Sequence, residues 1–272
     1  LAPRRILLYL SGTPVCDPAK CTAEAGAHMG VGEQVTEKLE LMLLLKSPGR
    51  AGNGDSEAIG RRLAPLLQGS PGSSDQRVLV ATSDQTPTPE LFDALVSVGV
   101  EDEHQARNLA QATRAELGDD PDGATDLHAL LVRSRWPKPR TPRPANGSRA
   151  GAGVVMVSAM HRIAEPNHEQ FDQHWRDRHA PLALEHHPGM AAYQQNVVEG
   201  VLTAKTPSWD GVAVLYFDSP DDLANRLYND EESQQIIMDD VARFVDLKHS
   251  TTVIMTEAYS VSTQPIKSRR KV

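Results

Sequence analysis

Residues Phe171-Asp172-Gln173-His174-Trp175-Arg176-Asp177-Arg178-His179-Ala180-Pro181-Leu182, with Pro188-Gly189-Met190-Ala191-Ala192-Tyr193 just beyond them, decide the fold. Phe171, Trp175 and His179 recur at steps of four, which lines them along one face of a 3.6-residue period. Asn167 followed by Gln170 is a helix-start signature. Pro181 lacks an N–H and biases Ala180 away from helical dihedrals. The helix is therefore expected to break or kink just after His179. Pro188-Gly189 reads as a turn.

Working outward, Val154–Met160 is short, apolar and β-branched, hence a strand. Residues 191–198 and Gly211–Phe217 read as two more. Ser219-Pro220-Asp221-Asp222 places an N-cap before a proline at the first helical position. Helices are expected over 220–229 and about 231–246, and a last strand over 251–258. The order is strand, helix, strand, strand, helix, strand, an α+β unit of the ferredoxin-like kind.

The N-terminal half gives the same order. Its strands are expected near 39–46, 76–82, 92–100 and 126–135, and its helices near 56–68 and 102–117. Arg62-Leu63-Ala64-Pro65-Leu66 stands against Arg178-His179-Ala180-Pro181-Leu182. Phe92-Asp93-Ala94-Leu95 stands against Trp209-Asp210-Gly211-Val212 at nearly the same offset. A duplicated unit with a diverged first copy explains both matches. The expected organisation is an extension over 1–35, a first unit over 36–136, a Pro/Gly-rich linker over 137–153, a second unit over 154–260 and a basic tail over 261–272. Each four-stranded sheet needs cover on its second face. Two tandem units can cover each other and close a barrel within one chain.

Composition narrows the function. The 272 residues carry a net charge of −8 and 4% aromatics, a poor basis for a nucleic-acid surface. No run approaches the roughly 18 apolar residues that a membrane-spanning helix needs. Arg4 and Arg5 precede a short apolar run, but no small-residue cleavage site follows, so no signal peptide is expected. Two cysteines make no disulfide framework, which fits a reducing cytoplasm. Cys16, Cys21 and His28 lack a fourth ligand, so no metal site is expected. The sequence has no phosphate-cradling glycine loop and no Gly-x-Ser-x-Gly elbow.

Seven of the ten histidines lie after residue 160, as do four of the five tyrosines. The first copy has Leu63, Ile59 and Arg77 where the second has His179, Trp175 and Tyr193. Polar and aromatic character thus concentrates in the second copy. His179 is the foremost candidate, because imidazole titrates near neutrality and serves as general acid or base. His161, at the end of a strand, is a second candidate. Tyr193 and Asn196 lie three apart on one strand and face opposite sides, so only one of them is expected to line a pocket. Trp209 opens the third strand and is placed to close a cavity. His174, His186 and His187 read as surface residues. For each candidate the plain alternative is a structural role: a core histidine or tyrosine, or a tryptophan covering a sheet edge.

The motif Phe171-x-x-x-Trp175-Arg176-Asp177-x-His179-Ala180-Pro181-Leu182, then Pro188-Gly189-Met190-x-x-Tyr193, resembles the EthD family of dimeric α+β barrel proteins. Residues 210–219 and 242–246 resemble it as well. The resemblance spans about 154–258 and implies a fold more than a reaction. It places a pocket between sheet and helices of the second copy, with His179 inside and Trp175, Phe171, Tyr193, Trp209 and Asn196 as candidate walls. The family includes dehydratases and decarboxylases; the wider superfamily includes monooxygenases, isomerases and haem enzymes. The leading expectation is a lyase or isomerase without a cofactor, acting on a small, largely apolar carbonyl or hydroxy compound. His179 would move the proton, and His161 or Tyr193 would hold the charged oxygen. The alternatives are oxygen chemistry, haem-bound or cofactor-free, and a non-catalytic ligand-binding accessory protein. Further pairing into a homodimer stays open.

Overall fold

A computed structural model describes residues 36–46, 76–81, 92, 94–117, 126–140 and 153–261. Eight strands close a barrel: β1 (Lys38–Lys46), β2 (Gln76–Ala81), β3 (Ala94–Gly99), β4 (Asp126–Lys138), β5 (Val154–Met160), β6 (Met190–Val201), β7 (Gly211–Phe217) and β8 (Thr251–Val261). Around the barrel they run β1-β3-β2-β8-β5-β7-β6-β4. Each half therefore contributes the same order, 4-1-3-2 and then 8-5-7-6. The halves join through antiparallel β2–β8 and β4–β6 pairings, so closure leaves no sheet edge exposed.

Strand alternation and closure together set the core. Successive side chains point to opposite faces of a strand. One face fills the barrel, with Met42, Leu79, Leu130, Val157, Val214 and Val253 drawn from both halves. The other face receives helices. In the first half α1 (Glu103–Leu117) packs Ala106, Leu109 and Ala110 on the outer sheet face. In the second half the cover is α2 (His168–His174), a π-helical turn (Trp175–His179), α3 (Ala180–His186), α4 (Pro220–Arg226) and α5 (Glu231–Val241). Each fully buried aliphatic side chain contributes roughly 1.5–3 kcal/mol.

The expected helix starts are present. Asn167 Oδ1 accepts from Gln170 N while Gln170 Oε1 accepts from Asn167 N, both at 2.9 Å. Ser219 Oγ accepts from Asp222 N ahead of Pro220 at the first helical turn. The strands 154–160 and 211–217 stand where expected, and the other described strands match within a few residues. The second-half helices stop earlier than expected, at Arg226 and Val241.

Two expectations are corrected. The expected break or kink after His179 is a change of helical register without a break, and Ala180 keeps helical dihedrals in spite of Pro181. The chain passes through a π turn, in which Ala180 N donates to Trp175 O, five residues back, and then continues as α3. Pro181 costs nothing there, because it falls in the first turn after the register change. Residue 137, the expected start of a linker, still belongs to a strand. Pro137 lies within β4, at an irregularity between Arg135 and Lys138 where a missing N–H is tolerated.

The expected helix over 56–68, the repeat segment 62–66, residues 1–35, the cysteines and the tail from 262 lie outside the described residues. None of the described helices is long and apolar enough to cross a membrane.

Candidate active site between the sheet and the helix layer

His179 ends the π turn of the helix layer, on the outer side of the second-half sheet. It lines a small, largely apolar cavity with Trp175, Tyr193, Phe244, Met156 and Leu215. The six-membered ring of Trp175 lies against Gly211. A β-carbon there would lie 2.6 Å from the indole ring, so only glycine permits the approach. Phe171 is fully buried one turn earlier, against Trp175 and Phe244, and supports the wall without lining the cavity.

Asp240, on α5, organises the site. His179 Nδ1 lies 2.9 Å from its Oδ2, and His174 Nε2 lies 2.9 Å from its Oδ1. An ionised carboxylate only accepts, so both ring nitrogens carry hydrogen. Burial works to raise the Asp240 carboxyl, but the bonds from His174 and His179 outweigh it and hold the group well below the usual carboxylate range. No hydrogen bond from the described residues reaches His179 Nε2. It has a lone pair when the ring is neutral and a proton to give when the ring is charged.

A chain of hydrogen bonds reaches the site from the other half of the molecule. Arg135 of β4, 1% exposed, donates from Nε to Gln195 Oε1 at 2.6 Å. Gln195 Nε2 donates to the Trp175 carbonyl at 2.9 Å and to the Tyr193 hydroxyl at 3.1 Å. Trp175 Nε1 donates to the same hydroxyl at 2.8 Å. The Trp175 carbonyl is the one that Ala180 N reaches across the π turn, so Gln195 holds the turn that presents His179. Arg135 also pairs with Asp172, which accepts from Arg133 as well. Burial works to raise the Asp172 carboxyl, and the two arginines outweigh it and lower it.

The other proposed residues separate. Tyr193 lines the cavity, with its hydroxyl accepting from Trp175 and Gln195. Asn196 and Trp209 do not line it. Strand alternation turns Asn196 to the face opposite Tyr193, where its Nδ2 donates to Val212 O. Trp209 packs inside the barrel, edge-on to Phe92 and His128. His161 also stays outside the lining; its backbone accepts from Asp246 N and donates to Ser250 Oγ.

The histidines read as surface residues need correction. His187 is 3% exposed and lines the cavity, and half-buried His174 bonds Asp240. The sequence reading also passed over Asp240, Ser158, Ser250 and Thr252. Ser158 Oγ and Thr252 Oγ1, on adjacent strands, share a hydrogen bond of 2.9 Å at the cavity wall. In that pair one hydroxyl is the donor, so the second keeps a hydrogen to offer.

Haem was the alternative cofactor. The cavity holds only about 40 Å³, against roughly 300–1,000 Å³ for pockets taking drug-sized ligands. Both histidines lining it have Nδ1 engaged, by a carboxylate and by a carbonyl, and that is the arrangement in which Nε2 can ligate a metal. The donor set therefore suits an axial ligand, and only the space in the cavity speaks against a haem. A roomier opening of about 380 Å³ lies at the barrel mouth, beside Tyr216. Its charged pair, Arg140 and Glu257, is satisfied by two bonds of 2.7 Å, and no histidine lines it among the described residues. Among those residues no cluster of three or more His, Cys, Asp or Glu is arranged to hold a metal ion.

Comparison with known proteins agrees with the fold. Residues 166–248 match the EthD domain family. No curated protein matches the chain by sequence. Among solved structures, a protein described as anthrone oxidase-like aligns with a TM-score of 0.56 and 10% identity, over 84% of this chain and 94% of its own. A candidate monooxygenase from Fusobacterium nucleatum subsp. nucleatum aligns with a TM-score of 0.52 and 7% identity, over 86% of this chain and 97% of its own. At such identities the likeness speaks for the fold alone.

Proposed function

We propose that this chain, whose residues 166–248 form an EthD domain on an eight-stranded α+β barrel, is an enzyme of proton transfer. It acts without a cofactor, as a lyase or isomerase, on a small, largely apolar carbonyl or hydroxy compound. The single observation that carries this reading is the Asp240–His179 pair at the wall of a largely apolar cavity.

Neutral His179 takes a proton at Nε2 from the carbon beside a carbonyl. The C–H electron pair moves toward the carbonyl oxygen. The hydroxyl pair of Ser158 and Thr252 supplies a hydrogen bond to that oxygen, the role earlier given to His161 or Tyr193. Asp240 stabilises the imidazolium so formed. The proton then returns to carbon, giving an isomer, or goes to a leaving hydroxyl, giving water and an alkene. Apolar walls at Met156, Leu215 and Phe244 keep the exchange away from bulk water.

A second reading uses the same first step. A deprotonated phenol or enol adds dioxygen, in keeping with the descriptions of the two matching barrels. The test compares wild type with His179→Ala on hydroxy and carbonyl compounds. Turnover lost in a folded variant supports proton transfer at His179; unchanged turnover overturns it. Dioxygen uptake dependent on His179 selects the second reading.

A further inference from the structure

His187 is held differently from His179, and the difference fixes what it can do. It follows the last turn of α3, where its backbone N donates to Ala183 O at 3.1 Å. Pro188-Gly189 then turns against the end of α4. Gly189 N donates to Arg226 O at 2.8 Å, and a β-carbon on Gly189 would lie 2.7 Å and 2.8 Å from the carbonyls of Asp222 and Arg226. The turn is thus seated on α4 by backbone contact. This brings the His187 ring under Leu227, whose carbonyl lies at the end of α4, where carbonyls lack intrahelical partners. His187 Nδ1 lies 2.5 Å from that carbonyl, and the Tyr228 ring packs beside it at 5.2 Å.

A carbonyl only accepts, so Nδ1 carries the hydrogen. In neutral imidazole the other nitrogen then has a lone pair and no hydrogen. The ring is kept neutral: burial pushes it down to about 4, against the pull of the Leu227 bond, and the neighbouring His179 and His186 oppose a further positive charge. No hydrogen bond among the described residues reaches Nε2.

We propose that His187 selects the substrate: its Nε2 lone pair, in the cavity shared with His179, accepts a hydrogen bond from a hydroxyl of the ligand. The substrate class is therefore a hydroxylated compound, a phenol or an alcohol. The role is recognition, since a ring so reluctant to protonate is a poor base and a fixed acceptor. An isostere with a methyl in place of the hydroxyl offers this acceptor no hydrogen and binds more weakly. The inference rests on this cavity being the substrate site. Its test reads binding and tautomer only, so it stands or falls separately from proton transfer at His179.

The test uses the full-length protein labelled with ¹⁵N-histidine, titrated with phenol and with its isostere toluene. The expected result is a His187 ring in the neutral Nδ1–H tautomer from pH 5 to 8. Phenol, added at pH 7, shifts the His187 Nε2 resonance and binds at least about tenfold tighter than toluene. In His187→Phe that preference disappears. A His187 ring titrating near 6.5, an Nε2–H tautomer, equal binding of phenol and toluene, or a preference retained in His187→Phe overturns the proposal. If His187→Phe fails to fold, the wild-type tautomer and the phenol-to-toluene ratio still decide it.

Discussion

Asp240 holds two histidines at once, His179 Nδ1 on one carboxylate oxygen and His174 Nε2 on the other, each at 2.9 Å. Asn cannot replace it in that role. Its amide presents N–H₂ on one side, and one histidine then meets a donor where it needs an acceptor. In Asp240→Asn activity is expected to fall by roughly 10²-fold or more, the loss typical of a carboxylate that orients a catalytic imidazole. Steady-state kinetics beside a circular dichroism spectrum separate this from unfolding.

Stability should fall with acid over a window set by His187. Its pKa is depressed in the folded state, from the ordinary 6.5 to about 4. The unfolded chain therefore binds the proton first as pH drops. The stabilisation is complete above 6.5 and is lost progressively down to about 4, by an amount on the order of 3 kcal/mol. Urea midpoints measured from pH 8 to 4 should show this decline, and His187→Phe should flatten it. An equal slope in both proteins contradicts the assignment.

Gly211→Ala is expected to disturb the site without touching a polar group. The new methyl would lie 2.6 Å from the Trp175 ring, which is buried and cannot swing away. Overpacking of this kind costs about 1–3 kcal/mol. The Tm should drop by several degrees, and the Trp175 indole N–H resonance should move as its bond to Tyr193 changes.

Arg135 links the two halves of the chain. Arg135→Met removes a charge from Asp172 and leaves Gln195 Oε1 without its donor. Asp172 keeps Arg133, so the cost is that of a lost charged hydrogen bond and an amide oxygen without its donor, about 1–3 kcal/mol, read from the urea midpoint. If Gln195 holds the π turn, Gln195→Met should lower kcat with a smaller change in KM, since it loosens His179 and leaves the cavity walls in place. An unchanged kcat contradicts that positioning role.

The sequence could show His179 and Trp175 because both follow one local rule, the four-residue step along a helix. Capping at Asn167 and Ser219 was legible for the same reason. Asp240 was missed because its partners lie 61 and 66 positions away and meet it only through helix packing. One signal was available: Asp240 sits on the same face of α5 as buried Ile237 and Val241, an odd place for a carboxylate. His187 was misread because proximity to a Pro-Gly turn suggests exposure, whereas this turn is pressed onto α4. Asn196 and Trp209 were misplaced for a topological reason. Barrel closure buries both faces of β6, so burial does not tell which face serves the helix-layer cavity. Pro181 was expected to draw Ala180 out of helical dihedrals and to break or kink the helix; Ala180 instead stays helical, and a π turn takes up the missing N–H.

The central claim is proton transfer at His179. The full-length protein, wild type and His179→Ala, is incubated in D₂O with small β-hydroxy ketones and hydroxyaryl ketones. Deuterium appearing at carbon beside the carbonyl is followed by proton NMR, with circular dichroism showing that both proteins are folded. Wild type should exchange at least one of these compounds, and His179→Ala should slow that exchange by about 10²–10⁴-fold. Equal exchange by the two proteins, or none by wild type across the panel, contradicts the account.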